Sequence, residues 1–108
     1  MKTSELTGAA LDWAVAKCEG ITEGKDKAWY YDRRDTYNYS TNWAQGGPII
    51  EREMIELVPQ SASLWDAMYR GQHIPNDGPT PLIAAMRCYV ASKLGDDVEI
   101  PEELMEQA

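Results

Sequence analysis

The sequence predicts an α+β fold, with a small, mostly antiparallel sheet packed by an N-terminal helix and a long C-terminal helix. Three observations carry this. SELTGAALDWAVAKCEG near the start and PLIAAMRCYVASKL near the end repeat apolar residues every three or four positions, the spacing of one helical face. Between them, IELV and SLWDAMYR alternate in the two-residue period of strands and are joined by a short linker, as in a hairpin. Clusters of Gly, Pro, Asn and Asp punctuate these segments. A chain of 108 residues fits a single domain.

The first helix is marked by Leu6, Ala10, Trp13 and Ala14. Thr3 or Ser4 is its expected cap and Gly20 its expected end, and Trp13 reads as a core residue. KAWYYD, rich in aromatic residues, reads as a short strand with Trp29 and Tyr31 on one face and Tyr30 on the other. RRDTYN then forms a loop or hairpin tip. Pro48 suits the first turn of a short helix, where its missing N–H is no loss. That places Gly46 and Gly47 at the helix N-terminus. In the hairpin, Ile55 and Leu57 face one way and Glu56 and Val58 the other, and Pro59 ends the strand. Leu64, Asp66 and Met68 oppose Trp65, Ala67 and Tyr69. RGQHIPNDGPT is a loop. Thr80 as N-cap, Pro81 at the first position and Gly95 beyond the end bound the long helix. Its small Ala84, Ala85 and Ala91 allow close packing. The acidic tail, about residues 96–108, wraps back through Val98, Ile100 and Leu104 and then frays.

Bulk properties exclude several function classes. Hydrophobic residues make up 44% of the chain, too many for wholesale disorder. No apolar run approaches the roughly 20 residues of a membrane span, and no secretory leader is recognisable. The expectation is a protein of the cell interior with no membrane partner. The net charge of −8 argues against nucleic-acid binding through a basic face. The local basic pairs, Lys25/Lys27 and Arg33/Arg34, are interleaved with Asp. Acidity serves solubility, and it also suits mimicry of a polyanion toward a basic partner. Cys18 and Cys88 read as reduced and packed. With His73 the sole histidine, a Cys/His metal site lacks ligands.

Catalytic signatures are missing. A Ser-His-Asp arrangement would need His73 with Ser40, Ser61 or Ser63, yet no GxSxG is present. Neither cysteine has a local signature for pairing with His73. The P-loop, GxGxxG and HExxH patterns are also absent. The sequence leans away from an enzyme, and no cofactor is expected.

A binding site is suggested instead by YNYSTNWAQGGPII, residues 37–50. Gly46 and Gly47 let backbone amides approach a ligand, and at a helix N-terminus those amides receive anions. Tyr37, Tyr39 and Trp43 offer faces on which a base or sugar can stack. Thr41, Asn42 and Gln45 supply hydrogen bonds. Arg52, one turn beyond Pro48, suits a phosphate or carboxylate. A plainer reading stands beside this one: Gly-Gly-Pro turns a corner, Trp43 plugs the sheet, and the tyrosines line an edge.

LTGAALDWAVAKCEG, YSTNWAQGGPIIERE, LWDAM and GPTPLIAAMRCYVASKLGDDVEIPEEL together resemble the NinX-like family of small bacteriophage and prophage proteins. NWAQGGPIIER and GPTPLIAAMRCYV are the most specific motifs, and the likeness spans nearly the whole chain. Asn42 stands where the family commonly has an aspartate. The resemblance implies a phage origin, a single small domain and an accessory role in the cytoplasm of the infected host, with no assigned active site. The combined expectation is a non-enzymatic phage accessory protein that binds and sequesters a nucleotide-derived small molecule, such as a bacterial immune signal. Its site would comprise Tyr37, Tyr39, Thr41, Asn42, Trp43, Gln45, Gly46, Gly47 and Arg52, with a pocket closed between the protomers of a homo-oligomer. The alternatives are an acidic inhibitor that docks on a host protein and a small nucleotide hydrolase.

Overall fold

Along the chain the helices are α1 (Gly8–Cys18), α2 (Lys27–Arg33), α3 (Trp43–Glu53), α4 (Pro81–Leu94) and α5 (Glu102–Met105). The strands are β1 (Ile55–Ser61), β2 (Leu64–Tyr69) and β3 (Asn76–Gly78), and 3-10 turns cover Thr3–Glu5 and Arg34–Thr36. This computed structural model describes residues 1–72 and 75–105. His73, and with it any triad built on that residue, lies outside the described residues, as do residues 106–108, where the tail was expected to fray. The α+β class is as the sequence predicts.

Helix α4 is the centre. Thr80 Oγ1 accepts the Ile83 amide at 3.1 Å, Pro81 opens the helix, and Gly95 follows its last turn. All three match the expected boundaries. Leu82 and residues 84–90 are buried, so the helix is enclosed on almost every side. The sheet covers one flank, and α1, α3 and the N-terminal turn cover others. Arg87 is buried among apolar neighbours. Its Nε donates to the Leu6 carbonyl at 2.8 Å and its guanidinium to the Asp77 carbonyl at 2.9 Å. One side chain thus ties the N-terminal segment and β3 to α4. Burial works against its charge, and the two carbonyls compensate.

The sheet is antiparallel in the order β1-β2-β3. Ile55 pairs with Tyr69 and Leu57 with Ala67. Ile55 and Ala67 are buried, and Leu57, Trp65 and Tyr69 pack against the same core. Glu56, Val58 and Leu64 are exposed, so the predicted alternation holds. Pro59 does not end β1, which runs on to Ser61 with a register shift. An edge strand tolerates proline because its missing N–H can face solvent. The turn residues Asn-Asp-Gly concealed β3, whose three residues pair with β2.

Two segments depart from the sequence reading near the N-terminus. Thr3 does not cap α1. Its hydroxyl donates to the Gly95 carbonyl at 2.6 Å, and α1 begins at Gly8. Gly20 ends α1 as expected, with the amides of Gly20 and Ile21 returning to Lys17 and Ala16 at 3.1 and 3.0 Å. KAWYYD is helix α2, not a strand. Asp26 Oδ1 accepts the Trp29 amide at 2.9 Å, which nucleates the turn. Helical spacing then buries Tyr30 and places Arg33 over the Trp29 ring at 4.5 Å. Strand propensity fails here because no neighbouring strand offers a ladder. RRDTYN is correspondingly a 3-10 turn, not a hairpin tip. The tail does wrap back, with Val98 and Leu104 buried and Ile100 partly so.

Pro48 lies inside α3 rather than at its start, because Asn42 caps the helix six residues earlier: Asn42 Oδ1 accepts the Ala44 amide at 2.8 Å. Gly46 and Gly47 therefore sit in the body of the helix. A Cβ on Gly46 would fall 2.5 Å from Leu82 Cδ1 and 2.5 Å from the Tyr39 carbonyl oxygen. Glycine is what lets α3 approach α4. A Cβ on Gly47 would meet only Trp43 Cε3 at 3.8 Å. There, glycine relieves the clash that a residue before proline suffers in helical conformation.

A polar clamp joins the C-terminal ends of α1 and α3 to α4. Arg52 of α3 donates to both carboxylate oxygens of Glu19 at 3.1 and 2.8 Å, and to the Tyr89 hydroxyl at 3.1 Å. Tyr89 also donates to Glu19. Arg52 holds the Glu19 carboxyl below its ordinary value of 4.5.

Two predictions follow from these contacts. Gly46→Ala destabilises by about 3 kcal/mol, since the overpacking falls partly on backbone. Gly47→Ala changes stability by less than about 1 kcal/mol, because helix propensity and the pre-proline clash oppose each other. Thermal unfolding of the two variants side by side checks the contrast. Because Glu19 is depressed in the folded state, its contribution is fully present above pH 4.5 and is lost as pH falls through the lower folded value. Glu19→Gln costs about 1 kcal/mol at neutral pH, discounted for the exposed Arg52, and flattens the acid limb of stability against pH, as measured by denaturant titration.

Candidate functional site

Segment 37–43 divides two surface cavities. It is shaped by its own polar groups. The amides of Thr41 and Asn42 both return to the Asn38 carbonyl, at 3.1 and 2.8 Å. Gln45 reaches back from α3, accepting the Asn38 amide at 2.7 Å and donating to the Thr36 carbonyl at 2.8 Å. These bonds fix a tight turn before the α3 cap.

The first cavity, about 270 Å³, opens between α1, α2 and this turn. Gly8, Ala9 and Asp12 of α1 form one wall, with Tyr30, Arg34, Tyr37 and Asn38 opposite, Asp35 also on the lining, Thr41 at one end and Leu104 of the tail closing the base. Tyr37 is sandwiched between Tyr30 and Tyr39, with ring centroids at 5.5 and 6.3 Å and planes 11° apart in both pairs. Both of its faces are thus occupied by tyrosines. Burial pushes the Tyr30 and Tyr39 hydroxyls up, so these two stay neutral at physiological pH.

Asp12 is the unusual group. It is only 7% exposed, on a helix otherwise buried through Ala10, Leu11, Ala14 and Val15. Its Oδ1 accepts the Ser40 amide at 2.8 Å. No cation pairs with it among the described residues. Burial raises its pKa, and hydrogen bonding from Ser40 offsets part of the rise. A buried carboxylate beside a cavity with a perturbed pKa is a mark of functional sites. The Ser40 hydroxyl is also buried and has no partner among the described residues. At the same wall, α1 starts without a side-chain cap. The amides of Gly8 and Ala9 precede the first intrahelical bond, which runs from Leu11 to Thr7 at 3.2 Å. Such a terminus carries partial positive charge.

The second cavity, about 240 Å³, lies across the turn and is lined by Ser40, Thr41, Trp43, Thr80, Pro81, Leu82 and Ile83. Trp43 is 52% exposed, so it does not plug the sheet. Thr41 lines both cavities.

The nine residues singled out in the sequence separate into two groups. Tyr37, Thr41 and Trp43 line the two cavities, whereas Tyr39 lines neither and only stacks on Tyr37. Asn42 and Gln45 are engaged in capping and bracing. Gly46 is engaged too, its amide donating to the Asn42 carbonyl at 2.9 Å. Gly47 lies within α3, whose start is at Trp43, so the pair does not form an anion-receiving N-terminus. Arg52 is held by Glu19 and Glu53. Sequence reasoning missed Asp12, Arg34 and the α1 terminus. An acid in the apolar stripe ALDWAVA was the available signal for Asp12. For Arg34 the signal was the basic pair Arg33/Arg34 in RRDTYN, which the neighbouring Asp residues and the reading as a loop or hairpin tip masked. Cys18 and Cys88 are free, and burial pushes both thiols up to about 11, which makes them poor nucleophiles.

The capping role of Asn42 does not require a charge. An N-cap needs an acceptor oxygen, and Asn supplies one as well as Asp does. No curated protein matches the chain. The family model described as Bacteriophage P22, NinX matches residues 2–93, a span that takes in every residue lining the two cavities except Leu104. The chain therefore belongs to the bacteriophage P22 NinX family.

Proposed function

We propose that this NinX-family protein is a non-enzymatic accessory protein that binds and sequesters a nucleotide-derived small molecule in the infected host, with bacterial immune signals as the candidate class. The observation that carries the reading is the pairing of the α1 terminus and Arg34 with an open cavity beside exposed Trp43. Gly8 and Ala9 amides and the Arg34 guanidinium suit a phosphate. Arg34 makes no ion pair among the described residues. It replaces Arg52 in the anion-holding role.

A nucleotide is larger than either cavity, and pockets that enclose ligands typically start at about 300 Å³. The ligand therefore crosses Thr41, with its base on the Trp43 indole. The cover over that indole is a second protomer, which makes the binding form a homo-oligomer. Sequestration demands sub-micromolar affinity, about −8 kcal/mol or better.

The acidic-inhibitor reading has one supporting feature: Glu56 and Val58 are exposed on the edge strand β1. Capture of a basic host protein that weakens steeply with salt would favour it.

Calorimetry against linear and cyclic nucleotides is the test. Arg34→Ala is expected to weaken binding tenfold or more without lowering Tm, since Arg34 is exposed. Trp43→Ala is expected to weaken binding by about 1–3 kcal/mol through lost stacking. Failure of every nucleotide to bind would sink the proposal.

A further inference from the structure

Asp12 is costly where it stands. A carboxylate at 7% exposure without a cation would be better replaced by an apolar residue if it served packing alone. One oxygen holds the Ser40 amide. The carboxylate also draws on the nearby Ser40 hydroxyl, its second oxygen has no further partner among the described residues, and the side chain lines the cavity. The group is an acceptor held ready for a donor that enters from outside.

Its position limits what that donor is. Asp12 lies four residues beyond Gly8, so about 6 Å along the helix axis. Helical side chains tilt toward the N-terminus, which brings the carboxylate still closer to the Gly8 and Ala9 amides. A phosphate on those amides and on Arg34 then has the carboxylate within a sugar's reach. The edge of a base lies farther from its own phosphate than that. The neighbour on the other side is Ser40, which leads through Thr41 to Trp43. The first cavity thus presents an anion site and a carboxylate acceptor, and beyond Thr41 the second presents an indole, an order that matches phosphate, sugar and base.

Resting on the nucleotide reading above, we propose that Asp12 is a specificity-determining residue that accepts hydrogen bonds from ribose hydroxyls, so that the site selects ribonucleotides over deoxyribonucleotides. No covalent step is involved. A ribose hydroxyl donates to the second carboxylate oxygen, and an analogue without hydroxyls displaces solvent from that oxygen without supplying a donor.

The test measures the binding of AMP, GMP, CMP and UMP, and of ADP-ribose, to the full chain, with each monophosphate also compared against its 2′,3′-dideoxy form. The parent is expected to bind the ribose form of at least one base ten times or more tighter than its dideoxy counterpart. Asp12→Asn keeps a carbonyl oxygen for the Ser40 amide but turns a donor toward the cavity. It should cut that preference at least fivefold while Tm holds or rises. Equal affinity of the parent for ribose and dideoxy forms would overturn this inference and leave the nucleotide reading intact. An undiminished preference in a folded Asp12→Asn variant would do the same. Binding of no nucleotide by the parent would overturn both.

Discussion

The structure depends on the enclosure of one helix. Residues 84–90 of α4 are buried without interruption, so no face of this helix is free to meet water through this stretch. A sheet alone cannot enclose a helix, and neither can a single partner helix. The chain must therefore supply a sheet on one flank and helices on the others, which is the architecture observed. Small side chains make the enclosure tight. Ala84 and Ala85 are fully buried, and Gly46 lets α3 come against Leu82 with no intervening atom. The cost of such a helix is its polar content, and Arg87 meets it by bonding to carbonyls of the segments that must be held in place.

That requirement shapes the candidate site. The turn at residues 37–43 exists because α3 has to begin close to the start of α4. Asn42, Gln45 and Gly46 are consumed in making that happen. What remains unused around the turn is a short set of groups: the Thr41 surface, the Trp43 indole, Arg34, the α1 amides and the Asp12 carboxylate. Side chains that a fold has already satisfied have little left to offer a ligand, whereas these have unspent capacity. The tyrosine ladder belongs between the two groups. Its rings stack on one another, so part of their aromatic surface is already used within the fold.

The clamp of Glu19, Arg52 and Tyr89 illustrates the same division. On the sequence alone, Arg52 is a basic residue near a glycine pair and invites an anion. In the fold its guanidinium is already bidentate on a carboxylate, the geometry in which arginine binds most strongly. Charge near a motif is not availability.

Periodicity and punctuation determined much of this protein by themselves. The hydrophobic spacing of α4, its Thr80-Pro81 start and its Gly95 stop are local signals, because helix ends are made by neighbouring residues. The hairpin of β1 and β2 is local in the same way. The motifs around NWAQGG and GPTPLIAAM identified the family. The tertiary structure decided the rest, because it turns on which partner is present. KAWYYD is a helix because Asp26 caps it and no strand lies alongside. Pro48 is interior because a cap six residues upstream had already started the helix. Asp12 looked like one acid among eighteen, and only packing shows that it is buried, bonded to Ser40 and turned toward a cavity. A sequence displays the chemistry of each side chain, but whether that chemistry is spent inside the fold depends on contacts between residues far apart in the chain.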